Sequence, residues 1–568
     1  MTVTNAVPHS PRVAGFRRGG GNAGWLAAAG LVAAFVLLPI AALIVIASGA
    51  SGESWRHVVL TVFPSALPIT AILLAGVGAL VIAIGTGTAW LVTSYEFPGR
   101  RILDWALLLP MAIPTYVVAF AYLELLHPIG PIQTAMRGLL GIASPRDFRL
   151  PDIRSLGGAI LLFGIVLYPY VYLATRALFL MQAAGCIEAA RTLGAGRFRL
   201  FFRIALPLAR PAIAIGASLA LMETLNDVGA SEFLGIRTLT LSIYSTWVNQ
   251  SDLPGAAGIA LFMLAIVLGL VTLERAARRR QRYAAVTQRT NAPERRRLAG
   301  GAALGAAAAG WLPVLFGFIL PASYLASAAT ARIGYAGISV DILREALNTL
   351  AVSAVATVVA VVLGLVVAYA ARLDRGPLGA TLARLASLGY ALPGTVLAIG
   401  LFFPLAAFDN LVDEGSRKML GVSTGLLIAG SGAALIYAYV ARFLAVSSGG
   451  IEAGLAKVPR SLDESARTLG RTAAVALRQI HLPLIRPAIA AAAILVFVDC
   501  MKELPATLLL RPLNFETLAT HLYGEAARGT YEDGAVAALA IVLAGLLPVI
   551  VLARLSRSAI GTSGAPAP

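Results

Sequence analysis

The chain is 568 residues long, 58% hydrophobic and 13% charged, with a mean hydropathy of +0.82. That balance excludes a soluble globular domain and indicates a chain built to lie in a bilayer. The net charge of +17 raises nucleic acid as a partner, but its placement argues against one. Two cysteines and five histidines without ligand spacing exclude a disulfide framework and a metal site.

Uncharged stretches of about 20 residues, the length that crosses roughly 30 Å of hydrocarbon, recur along the chain. The first, 23–51, is too long for a signal-peptide core and lacks an evident cleavage site, so it reads as a span. Further spans are expected at 67–95, 103–126 and 155–175, in the segment from Pro211, and at 253–273. The rest lie at 298–331, 346–371, 385–408 and 419–441, in the segment from Pro487, and at 534–553. The fold class is therefore all-α: a polytopic membrane protein of about twelve transmembrane helices in two homologous six-helix halves. The expected division is 1–274, a basic linker 275–298, and 299–568. Prolines inside the spans (Pro110, Pro114, Pro169 and Pro393) read either as kinks that let helices rock or as ordinary membrane prolines.

The linker carries nine arginines between Arg275 and Arg297. With both termini and the linker placed inside, most Lys and Arg fall in cytoplasmic segments, as membrane orientation requires. This is a pattern for anionic lipid headgroups rather than for nucleic acid.

One passage occurs twice. Residues 188–214 read EAARTLGAGRFRLFFRIALPLARPAIA and residues 464–490 read ESARTLGRTAAVALRQIHLPLIRPAIA, identical at fifteen of twenty-seven positions without a gap. Repetition on this scale means two copies of one structural unit. Glu188 and Arg191 share a helical face, and Gly194 is a natural stop for that short helix. A second amphipathic stretch comes next, with Phe198, Phe201 and Phe202 among arginines. Pro207 and Pro211 are expected to break regular structure and start the next span. Glu464, Arg467, Gly470 and Pro483 rebuild the elbow. An interfacial helix that merely reverses the chain explains one such elbow; two copies keeping the same residues suit a helix that docks into a partner's groove.

Glu-Ala-Ala at 188–190, six residues on to Gly194 and thirteen more to Pro207, resembles the signature loop of binding-protein-dependent ABC importer permeases. The second copy departs only mildly, with Ser465 for the first alanine. The resemblance implies cytoplasmic coupling helices seated on an ATPase, through Glu188, Ala190 and Gly194 and through Glu464, Ala466 and Gly470. It implies two copies of that ATPase as separate polypeptides, and a substrate-binding protein on the outer side of a bacterial inner membrane. The three lysines, Lys418, Lys457 and Lys502, sit in no phosphate-binding loop of the G-x-x-x-x-G-K-[ST] kind. The chain is thus expected to be a gate without an ATPase site or cofactor.

Past each loop, twelve uncharged residues separate Arg210 from Glu223 and Arg486 from Asp499. Each acid has another four residues on: Asp227 and Glu503. The four correspond under one offset, and each pair is expected to share a helix face. At about 1.5 Å per residue, Glu223 lies roughly 18 Å from Pro211, beyond the midplane. Intramembrane acids in matching interrupted segments mark a candidate substrate pathway suited to a hard cation. Equally open is that the helices end early and leave the acids at the outer surface, with Lys502 neutralising Asp499. Arg176 and Arg442 are read as counterparts that snorkel to headgroups.

The stretch 499–520, with Lys502-Glu503-Leu504-Pro505-Ala506-Thr507, Arg511-Pro512 and Phe515-Glu516-Thr517-Leu518, is similar to the end of the permeases that import ferric iron. Glu223 to Trp247 resembles their first-half counterpart. Thiamine, polyamine or phosphonate import by the same class remains an alternative. An ion-driven secondary transporter has no reason to keep two matching elbows, and no nucleophile or metal motif supports an enzyme.

Overall fold

The computed structural model describes residues 20–142, 144–181, 190, 196–279, 295–374 and 376–561. Among these, eleven helices are long and apolar enough to cross a membrane. They become twelve when the pair Arg100–Ala112 and Thr115–Leu125, bent by 92°, counts as one span.

The first half contains α1 (Gly20–Ser48), α2 (Phe63–Ser94), α3 (Arg100–Ala106), α4 (Thr115–Leu125), α5 (Leu156–Met181) and α6 (Leu206–Asn226). Short helices α7 (Val228–Phe233) and α8 (Leu239–Val248) then lead into α9 (Leu253–Arg279). The second half contains α10 (Leu320–Ala336), α11 (Val340–Leu373), α12 (Gly394–Leu420), α13 (Gly432–Ala456), the elbow helix α14 (Arg460–Thr468) and α15 (Leu482–Met501). Short helices α16 (Pro505–Leu510) and α17 (Leu518–Arg528) precede α18 (Tyr531–Gly561).

The two halves are built alike to the level of single hydrogen bonds. Thr238 and Thr517 cap α8 and α17, accepting from Leu241 N–H and Thr520 N–H, so each short helix begins where a hydroxyl satisfies an orphan donor. Just inside each cap, Leu239 N–H donates to Thr70 Oγ1 (3.0 Å) and Leu518 N–H to Thr349 Oγ1 (2.9 Å).

Two expected spans are displaced. Instead of 385–408 and 419–441, the helices are Gly394–Leu420 and Gly432–Ala456. Hydropathy ended the first too early because charged residues crowd its last turns. Those charges are locally satisfied: Asp409, fully buried, accepts from Ile428 N–H (3.0 Å) and Ala429 N–H (2.8 Å), and Asp413 accepts from Thr424 N–H (2.7 Å).

The repeated prolines do not break the chain. The helices run through them from Phe198 to Asn226 and from Ala473 to Met501. A single π-helical turn precedes each proline, at Phe201–Ala205 and Leu477–His481. Widening the turn removes the clash between a proline ring and the carbonyl four residues before it. The same device precedes Pro64 and Pro321, at Val58–Val62 and Leu315–Ile319.

Each half also lends its first span to the other. Leu43 and Ile46 of α1 share a core with Val396, Leu401 and Leu435 of the second half. Ala303, Val314 and Leu325 share one with Leu103, Val117 and Val166 of the first. Tyrosines seal the exchange at carbonyls that proline leaves unpaired. Tyr437 Oη donates to Phe35 O (2.6 Å), four residues before Pro39, and Tyr122 Oη donates to Phe316 O (2.6 Å), five before Pro321 across the π turn. The segment just before the second half is pinned by a two-residue parallel pairing of β1 (Tyr95–Glu96) with β2 (Arg296–Arg297).

Candidate functional site

In the first elbow, Glu188 and Gly194 lie outside the described residues, while Ala190 is buried. The second elbow is a helix as expected. Ala466 is buried and Glu464 exposed. Gly470 ends the helix at φ +69°, donating to Arg467 O (3.0 Å) while Arg471 N–H reaches Ala466 O (2.9 Å). This double closure satisfies two orphan carbonyls and takes a left-handed residue, which explains the glycine. Both elbows present bare apolar side chains: Phe198 is 82% exposed, Phe202 57% and Leu469 77%. Phe201 turns inward against Trp90, at 5.4 Å between ring centroids.

The four acids meet. Glu223, Asp227, Asp499 and Glu503 line one cavity of about 110 Å³ with Tyr116, Tyr170, Tyr390, Asn226, Arg442 and Lys502. Two acids come from each half, so the cavity lies on the seam between them. The helix-face expectation needs correction, however. The spans end at Asn226 and Met501, so Asp227 and Glu503 lie past the helix ends. There they cap the next short helices. Asp227 accepts from Ala230 N–H (2.7 Å) at the start of α7. Glu503 accepts from Ala506 N–H (3.1 Å), Thr507 N–H (3.1 Å) and Thr507 Oγ1 (2.9 Å) at the start of α16. Each carboxylate thereby satisfies donors that a break inside a bilayer would leave bare.

The charges around the acids are uneven. Lys502 Nζ pairs with Asp499 (2.9 Å), as anticipated. Arg442 Nη1 pairs with Glu503 (3.2 Å) and donates to Asn226 Oδ1 (3.0 Å). Among the described residues, Glu223 alone of the four acids has neither an ion pair nor a hydrogen bond. It faces the cavity with its carboxyl group unpaired.

Arg442 therefore does not snorkel, and neither does Arg176, which pairs with Asp104 in bidentate fashion (2.6 and 2.7 Å). They are not counterparts either. Helices α5 and α13 start at residues 156 and 432, which puts Val166 opposite Arg442 and Glu452 opposite Arg176. Sequence reading missed Arg442, Asn226 and Gly394 as site residues. Gly394 N–H donates to Asn226 Oδ1 (2.7 Å), and a Cβ there would lie 2.6 Å from both Arg442 Nη1 and Glu503 Oε1. The available signal was Pro393-Gly394 in the middle of an expected span, a place where a helix starts rather than continues.

Known proteins give the same outline. Residues 79–283 and 360–560 each match the family described as binding-protein-dependent transport system inner membrane component. An Fe(3+)-transport system permease protein of Haemophilus influenzae is 24% identical over 85% of this chain and 88% of its own length. A molybdenum transport system permease protein of Escherichia coli is 32% identical over 32% of this chain and 78% of its own. A protein of Salmonella choleraesuis named for 2-aminoethylphosphonate transport is 30% identical over 40% of this chain and 82% of its own. The family matches twice, once in each half, and the chain belongs to it: it is a permease subunit of an ABC importer.

Proposed function

We propose that this chain forms the membrane pathway of an importer for ferric iron, delivered from outside by a binding protein. The carrying observation is the seam cavity, where four carboxylates outnumber two cations and Glu223 stands unpaired. Such a field favours a cationic cargo. Its volume of about 110 Å³ suits a small inorganic species better than thiamine, since pockets for drug-sized organic ligands run to about 300 Å³ or more. The similarity to an Fe(3+)-transport permease over 85% of this chain supports the same cargo.

The two halves, 1–274 and 299–568 joined by the linker 275–298, rock against each other. Two copies of a separate ATPase seat on the elbows through Glu188, Ala190 and Gly194 and through Glu464, Ala466 and Gly470. ATP binding draws the elbows together and favours the outward-open state by a few kcal/mol, enough to shift the population. Both termini and the linker then lie on the cytoplasmic side of a bacterial inner membrane, beside its lipid headgroups.

A second reading has specific support. Arg442 and Lys502 stand in the same cavity, and two of the relatives carry molybdenum or phosphonate in their names, so an oxyanion cargo is the competing account. The deciding experiment is uptake of radiolabelled ferric iron by cells lacking this chain, with molybdate and 2-aminoethylphosphonate as competitors. Uptake restored by the intact chain, but not by Glu188→Ala with Glu464→Ala, supports cargo and coupling together. Unchanged iron uptake in the deficient cells rejects the iron assignment.

A further inference from the structure

The second elbow is held by a buried ionic cluster. Arg372 in the last turn of α11 pairs with Asp463 of the elbow helix (2.6 Å). The same guanidinium donates to Val458 O (3.0 Å) and to Leu455 O, at the end of α13. On the other side of Asp463 stands His481, fully buried, with Nε2 2.8 Å from Oδ1. His481 belongs to the π turn that leads into α15, and its Nδ1–H donates to Ala476 O (3.0 Å). Tyr369, one turn before Arg372, donates its hydroxyl to Ala473 O (2.7 Å). The Asp463 carboxylate thus ties the elbow to α11 and to the turn that leads into α15, and Arg372 carries the tie on to the end of α13.

Among the described residues, the first half repeats none of these contacts. Helices α2 and α11 end at Ser94 and Leu373, so Thr93 stands where Arg372 does, and its hydroxyl turns back to Ala89 O (2.7 Å). The repeat puts Ile187, outside the described residues, opposite Asp463, and Ala205 opposite His481. Where Tyr369 makes a polar contact, Trp90 packs on Phe179 and Phe201 at 5.5 and 5.4 Å. Apolar packing without direction lets surfaces slide, whereas charge-assisted hydrogen bonds fix orientation.

We propose that Asp463, Arg372 and His481 are positioning residues that make the second elbow the rigid lever of the pair, carrying ATPase movement into α11, α13 and α15. This rests on the coupling role given to the elbows above, and the two are separable by experiment. Breaking one partner of a buried pair leaves an uncompensated charge, so single variants that remove a charge weaken the lever.

The test uses the complete complex with its ATPase in lipid nanodiscs, and it needs no cargo. A Leu167→Cys probe in the seam cavity, with Cys186→Ser and Cys500→Ala, reports pathway opening through its maleimide labelling rate with and without ATP. In Asp463→Asn and in Arg372→Gln the complex should keep its ATPase and hydrolyse ATP. The ATP-dependent change in labelling should fall about tenfold, within the usual range for coupling between two sites. Arg372→Lys, which keeps a cation beside Asp463, should retain more of it than Arg372→Gln, and Thr93→Val in the first half should leave it intact. An unchanged labelling response in the single variants overturns the proposal. So does loss of the ATPase from them, or an Arg372→Lys variant no better than Arg372→Gln. If Glu464→Ala leaves the response intact while Asp463→Asn abolishes it, the lever stands and the docking role of Glu464 falls.

Discussion

Tyr244 and Tyr523 meet edge to face with ring centroids 6.4 Å apart, and each is the sixth residue of its helix, α8 and α17. A residue that touches its own counterpart lies on the axis relating the two halves. The pair therefore closes the seam, and Tyr523 is further held by its hydroxyl on Glu232 and by Phe233 at 5.8 Å. Aromatic pairs contribute about 0.5–1.5 kcal/mol beyond their buried area. Tyr244→Ala with Tyr523→Ala should raise ATP hydrolysis in the absence of binding protein several-fold, because the closed seam loses its lock. Basal hydrolysis by the purified complex measures this, and an unchanged rate removes the pair from the gate.

Gly470 gives a local prediction. Its φ of +69° is strained for any residue with a Cβ, so Gly470→Ala should cost about 1 kcal/mol in the elbow. ATPase association should weaken about fivefold in pull-down titrations, with membrane insertion normal. Gly470→Asn, which tolerates the left-handed region better, should lose less.

Gly394 tests the seam itself. Adding a methyl group there places it 2.6 Å from Arg442 Nη1 and Glu503 Oε1, and overpacking typically costs about 1–3 kcal/mol. Gly394→Ala should lower the unfolding temperature of the detergent-solubilised chain and abolish uptake, because Asn226 loses both of its partners in the second half. Full uptake at normal stability would show that this crossing has no part in the pathway.

His521 sets a dependence on pH. Its Nδ1 lies 2.9 Å from Glu345 Oε2, and hydrogen bonding to that carboxylate raises the imidazole above its ordinary value, against desolvation. Below the ordinary value both folded and unfolded forms are protonated and the pair contributes in full. As pH rises through the raised folded value, the proton and that contribution are lost. Thermal stability should therefore decline as pH rises past neutrality, and His521→Gln should flatten the decline.

Much of this architecture was legible from residue spacing. The twofold repeat, the twelve spans and the alignment of Glu223 with Asp499 come from one offset and from runs of uncharged residues. The exchange of first spans was not legible, because α1 is apolar on nearly every face and its sequence does not name its neighbour. Arg442 was misassigned for a related reason. Its partners, Asn226 and Glu503, come from the two separate helix ends, and a charge near a span end reads equally as snorkelling. The capping roles of Asp227 and Glu503 needed the helix termini, which composition alone places within a few residues.

The central claim is that the seam acids carry the cargo. It is tested most directly by ATP-driven uptake of ferric iron into proteoliposomes holding the complete complex and loaded binding protein, with Glu223→Gln and Asp499→Asn combined. Uptake reduced at least about tenfold, with ATP hydrolysis still stimulated by the binding protein, is the predicted result. That factor corresponds to about 1.4 kcal/mol of lost interaction. Unimpaired uptake in the doubly neutralised chain would contradict the account.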